Sequence, residues 1–109
     1  MTRGEIWTAA GGTDYATKPR PAVVVQDDRF DTGDSVTICL LTTDPTLGPL
    51  ARIGVDPTEA NGLRLMSWLM ADKLTTLPKD KLGRRIGRLD DETMLRLNRA
   101  MLVFLGLAG

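Results

Sequence analysis

The sequence predicts a mainly β fold, a small and strongly curved antiparallel barrel with one helix at its C-terminal end. Three observations carry that reading. Short alternating or β-branched runs recur from residue 5 to residue 89, clusters of Gly, Pro and Asp separate them, and a sustained apolar spacing of three and four appears after residue 90. Six short strands in a chain of 109 residues make a single domain, 1–109, with one modest core, and a sheet that small curves round to remove its edges.

The first strand is Glu5-Ile6-Trp7-Thr8-Ala9, which alternates polar and apolar. Gly11 through Lys18 is glycine-rich and polar, which predicts a mobile loop rather than a hairpin turn. Pro21 to Gln26 and Val36 to Leu41 are β-branched runs, joined by Asp27 to Asp34, whose Asp and Gly content suits turns. Ala51 to Val55 is a short strand ended by Asp56-Pro57, Asn61-Gly62 is a tight turn, and Ser67 to Leu74 is a longer strand. A helical turn over Leu77 to Leu82 and a strand from Arg84 to Leu89 complete the sheet. Asp90 then caps a helix whose first turn carries Asp91 and Glu92 at the positive end of the dipole. Met94, Leu97, Met101 and Phe104 form its core-facing stripe, and Gly106 stops it.

Lys plus Arg balance Asp plus Glu at fourteen each, yet residues 1–56 carry five cations against eight anions and residues 57–109 nine against six. The cations concentrate between Lys79 and Arg88, a stretch that either gathers nucleic-acid phosphates or is simply a solvated face. Cys39 is the sole cysteine and lies in an apolar run, so it reads as a small buried hydrophobe, with neither a disulfide framework nor a zinc site available. No run approaches the ~18 apolar residues of a membrane span, and the opening residues do not read as a signal peptide, so a cytoplasmic protein with no membrane contact is expected. With five aromatics and one helix, a core this small is often completed by a second subunit, and a homodimer is expected.

Arg20 is the most informative residue. Pro19 and Pro21 flank it, fixing their own φ and pushing the residue before each into extended geometry, so a guanidinium is held with little backbone freedom at the mouth of a strand. Its planar fork of donors matches phosphate oxygens in a way that a lysine does not. The plainer reading is an edge strand opening on a solvated charge.

Gly4-Glu5-Ile6-Trp7, Arg20-Pro21-Ala22-Val23-Val24-Val25-Gln26, Leu41-Thr42-Thr43, Asp72-Lys73-Leu74-Thr75-Thr76-Leu77 and Leu82-Gly83-Arg84-Arg85-Ile86-Gly87-Arg88-Leu89 stand in an order and spacing that resembles the MazF/PemK (Kid) toxins of bacterial toxin–antitoxin systems. The resemblance spans nearly the whole chain. It implies an SH3-like barrel of the CcdB/MazF type, a homodimer, and a sequence-selective, metal-independent endoribonuclease inhibited by a cognate antitoxin. Single-stranded RNA is the implied substrate, with mRNA, rRNA and tRNA left open, and no cofactor is implied.

By that resemblance Arg20 and Thr42 are the residues tied to cleavage. Arg20 suits electrostatic stabilisation and is a poor general acid or base, while Thr42 either donates a hydroxyl to phosphate or bonds locally at a strand end. Asp72 matches an aspartate that assists catalysis or base recognition in some relatives, and otherwise caps the turn after its strand; Thr43 is grouped with it. Tyr15, Lys18, Arg84 and Arg85 are the candidate RNA contacts, Tyr15 as an aromatic that either stacks on a base or anchors its loop. The chain departs from arginine–aspartate–histidine relatives in having Met70 two residues before Asp72 and no histidine at all, which favours a simpler site on Arg20 and Thr42. A rival of another class is a CcdB-like toxin that poisons DNA gyrase; the tryptophan such toxins carry near the C-terminus is absent from Phe104-Leu105-Gly106-Leu107-Ala108-Gly109.

Overall fold

Alternation along the strands sorts the apolar residues onto two faces of one six-stranded sheet. The computed structural model describes residues 1–10, 19–45 and 52–108. The strands are β1 (Glu5–Ala9), β2 (Arg20–Val24), β3 (Ser35–Thr42), β4 (Ile53–Val55), β5 (Ser67–Pro78) and β6 (Leu82–Arg88), followed by helix α1 (Asp91–Phe104). Every pair is antiparallel, in the order β4-β5-β3-β2-β1-β6. Ile6, Val23 and Cys39 stand in one row and point to the face that α1 covers with Met94 and Leu97. Ala9, Ala22, Val24, Val36, Ile38 and Leu82 form a second core on the other face.

The predicted fold class holds, with one amendment: the hydrogen-bonded ladder does not close, and β4 and β6 are its edges. The loop after β4 lies against β6 instead. The Arg88 N–H donates to the Ala60 carbonyl at 3.0 Å, and the backbones approach so closely that a Cβ at Gly87 would lie 2.3 Å from the Asn61 carbonyl group. Gly62 has φ +71°, and a Cβ there would lie 2.0 Å from the Ile86 carbonyl oxygen, so only glycine fits. The predicted Asn61-Gly62 turn is present, but it belongs to this crossing. Asn61 Oδ1 accepts from the Thr58 and Leu63 N–H groups at 2.9 and 3.0 Å, and its amide donates to the Asp56 carbonyl at 2.8 Å.

β5 runs on to Pro78, four residues past the expected end, because cross-strand pairing with Ser35 to Cys39 outweighs the weak local pattern of Thr75-Thr76. The expected helical turn is a short 3-10 turn at Lys79–Lys81, and β6 begins at once at Leu82. Asp90 caps α1 as predicted, its carboxylate accepting the Thr93 N–H at 2.7 Å, and Gly106 ends it with φ +74°. The helical stripe is only half correct. Met94 and Leu97 are buried and Met101 half-buried, but Phe104 is 44% exposed, as are Leu102, Val103, Leu105 and Leu107 to 42, 53, 54 and 71%. The helix outruns the sheet beneath it, and past Met101, which still packs on the core, its end is exposed.

Candidate active site

The site is built at the end where β2 begins and β3 finishes. Pro19 leads into β2, Arg20 pairs with Ala9 of β1, and the β2–β3 register of Ala22 with Leu40, carried two residues further, brings Arg20 level with Thr42. Pro19, Arg20, Pro21, Leu41, Thr42 and Thr43 line one open pocket of about 320 Å³. Pro19 and Pro21 carry no N–H, so neither adds a backbone donor to this wall. Thr42 Oγ1 accepts the Asp44 N–H at 3.1 Å, which fixes the hydroxyl and leaves its proton to donate outward. The local bond at the strand end, one of the two expectations for Thr42, is therefore present. The pocket thus brings one guanidinium and two hydroxyls, groups of the type that bind phosphate oxygens, to a common lining.

Asp72 does not line this pocket, nor does it cap a turn. Leu40 of β3 faces four residues of β5, Met70 to Lys73, so β5 bulges there and tucks Asp72 against Arg52, Oδ1 to Nη1 3.6 Å. The two side chains are 5% and 9% exposed, and Asp72 Oδ1 with Arg52 Nε and Nη1 make no hydrogen bond among the described residues. The ion pair is therefore long and underbonded for its burial. Cys39 lies beside it. Burial first, and the Asp72 charge in addition, push its thiol up to about 12 against the Met70 N–H and Arg52, so it is a hydrophobe and not a nucleophile.

The basic strand is placed two strands from Arg20. Arg85 pairs with Trp7 and its Nε meets Glu5 Oε2 at 3.1 Å, while the Arg84 N–H donates to Thr8 Oγ1 at 3.1 Å and its side chain is exposed. Burial would raise the Glu5 pKa, but donors from Thr2 and Trp7 and the charge of Arg85 hold it below its ordinary value. Tyr15 and Lys18, with the predicted mobile loop, lie outside the described residues. Among the described residues no three His, Cys, Asp or Glu side chains gather in a way that would hold a metal ion. Sequence reasoning singled out neither Arg52 nor Trp68, which is the direct cross-strand neighbour of Thr42. The available signal was an arginine and an aspartate each alone within a strand pattern, charges that the interior accepts only as a pair.

Comparison with known proteins identifies the family. The chain is 52% identical over 109 residues to the "Probable endoribonuclease MazF" of Mycolicibacterium smegmatis, covering all of both chains, and 31% identical over 105 residues to the "Endoribonuclease MazF4" of Mycobacterium tuberculosis, covering 96% of this chain and 92% of that one. Its fold matches, with a TM-score of 0.77 at 27% identity, an "Endoribonuclease in complex with its cognate antitoxin from Mycobacterial species", over 100% of this chain and 96% of that one. The family described as PemK-like, MazF-like toxin of type II toxin–antitoxin system matches residues 2–105, and the chain belongs to that family.

Proposed function

We propose that this protein is a sequence-selective, metal-independent endoribonuclease that cuts single-stranded RNA and is restrained by a cognate antitoxin. The observation that carries this reading is the shared pocket of Arg20, Thr42 and Thr43. A ribose 2′-hydroxyl attacks the adjacent phosphorus, the bond to the 5′-oxygen breaks, and the products are a 2′,3′-cyclic phosphate and a 5′-hydroxyl. Negative charge grows on the non-bridging oxygens of the phosphorane. Arg20 and Thr42 donate to those oxygens, and a preorganised donor of this kind contributes about 3–4 kcal/mol to the barrier. The donor set favours this route over metal-assisted attack, because the described lining offers one cation and two hydroxyls where a divalent ion would need carboxylates.

The names of the relatives support RNA as substrate, with mRNA the first class to test before rRNA and tRNA. Arg84 and Arg85 give the RNA backbone a basic track beyond the pocket, and Tyr15 and Lys18, just ahead of Arg20 in the chain, supply further contacts. The antitoxin presents an acidic segment that orders over the Arg20 region, a direct way to block a phosphate site. Two copies pair through the apolar end of α1, which one copy leaves exposed. No described helix is long and apolar enough to cross a membrane, and the reading places the protein in the cytoplasm with its RNA.

The test is to incubate the protein with a long defined RNA in excess EDTA and map the new ends. Cuts at a recurring short motif, with cyclic phosphate and 5′-hydroxyl termini, are expected. Strict dependence on added magnesium, or 5′-phosphate ends, overturns the mechanism.

A further inference from the structure

The row of residues that holds the phosphate pocket continues past it. Thr42 is the cross-strand partner of Trp68, and Trp68 is the partner of Gly54 on β4, so Arg20, Thr42, Trp68 and Gly54 lie side by side across β2, β3, β5 and β4. Directly opposed residues share a face, with Cβ atoms about 5 Å apart. An indole thus stands next to the hydroxyl that the phosphate would meet.

The indole packs against β4. Gly54 has no side chain, and a Cβ there would lie 3.4 Å from Trp68 Nε1 and 2.7 Å from the Met66 Cε methyl, so the indole leans over the bare backbone of β4 with the methionine beside it. Trp68 is half-buried, and its Nε1–H makes no hydrogen bond among the described residues. Trp7 differs: its Nε1–H donates to Glu5 Oε1 at 3.1 Å and belongs to the second core. A half-buried indole packed over bare backbone beside an anion pocket is placed for a ligand that has both a charged group and a flat one.

We propose that Trp68 is the stacking platform for the nucleobase one ribose away from the phosphate seated on Arg20 and Thr42, which makes it a determinant of where the chain cuts. The proposal rests on the RNA-cleavage reading above, and binding is tested apart from cleavage so that the two can fail separately. Stacking needs only a π-face, so the platform ranks bases by how well they stack rather than by their hydrogen-bonding edges.

The probe is a short single-stranded 2′-O-methyl RNA, which lacks the nucleophile and is not cut. Its binding quenches tryptophan emission in the wild type, and Trp68→Phe removes that quench while Trp7 still emits. Trp68→Ala weakens probe binding about ten- to a hundredfold, the range for one lost base stack, and raises KM for cleavable RNA by a similar factor with kcat within about threefold. Trp68→Phe recovers most of the affinity and guards against a folding defect in the alanine variant. Unchanged affinity and an unchanged cut-site pattern in Trp68→Ala, or a quench that survives in Trp68→Phe, overturns the platform even if cleavage is intact. A quench lost in Trp68→Phe in a protein that cuts no RNA sustains the platform and removes the nuclease reading.

Discussion

Replacing Asp72 separates its two possible roles in one experiment. At 3.6 Å from Arg52, the attraction between unit charges is about 4–5 kcal/mol at an effective dielectric near 20, and much of it offsets the desolvation of two side chains that are 9% and 5% exposed. Deleting one partner does not merely lose the remainder. It strands a buried guanidinium whose Nε and Nη1 already lack hydrogen bonds, and such breakage costs about 3–5 kcal/mol. For a domain of this size ~4–5 °C of Tm goes with each kcal/mol, so Asp72→Ala is expected to melt roughly 12–25 °C lower, read by circular dichroism. The double variant Arg52→Met with Asp72→Leu removes both charges at similar volume and recovers most of the loss. An alanine variant melting within about 2 °C of wild type would refute the argument from burial, since that is the range of surface changes. Cleavage by the refolded double variant then decides the chemistry: retained activity makes Asp72 structural, and its loss at full stability returns the residue to catalysis.

Arg20→Ala is expected to keep Tm and assembly, because the side chain is exposed, while cleavage falls roughly two to three orders of magnitude; Arg20→Lys recovers little because it lacks the fork. Full activity in the alanine variant removes Arg20 from the mechanism. Leu102→Glu with Phe104→Glu is expected to leave α1 folded, since both residues are exposed, and to shift sedimentation from dimer to monomer. An unchanged dimer places the interface elsewhere. Asp31 is held down to about 2 by the Lys79 ammonium at 2.5 Å and by the chain's amino group, so its contribution is complete above its ordinary value of 3.8 and is lost as pH falls towards 2. Asp31→Asn is therefore expected to flatten acid unfolding in that window and to leave the curve's shape at neutral pH unchanged.

What the sequence by itself determined was local. Asp90 announced a helix start because a carboxylate three residues before an N–H caps it wherever the rest of the chain goes, and Gly106 announced the end because a left-handed residue there needs no partner. The Pro19-Arg20-Pro21 segment likewise marked a cation at the mouth of a strand, and β2 begins at Arg20, since proline restricts φ without reference to tertiary contacts. Thr42 and Thr43 were legible through resemblance to a family, which already encodes a three-dimensional answer.

Tertiary structure decided everything that depends on register. The three-residue excess of β5 opposite Leu40 turns Asp72 towards Arg52, twenty residues away in sequence, and no local pattern marks a bulge whose cause is the fit of two strands. The same pairing carries Trp68 to the side of Thr42 and lets Arg20 meet it from the other strand. The exposed end of α1 has the spacing of a buried stripe, because periodicity states which residues share a face and not how far the opposing sheet extends. Closure was decided in the same way: Gly62 and Gly87 carry no sign of each other in sequence, yet the backbones they serve meet closely enough to exclude a methyl group, and that contact stands where a sixth pairing, β6 with β4, would have closed the barrel.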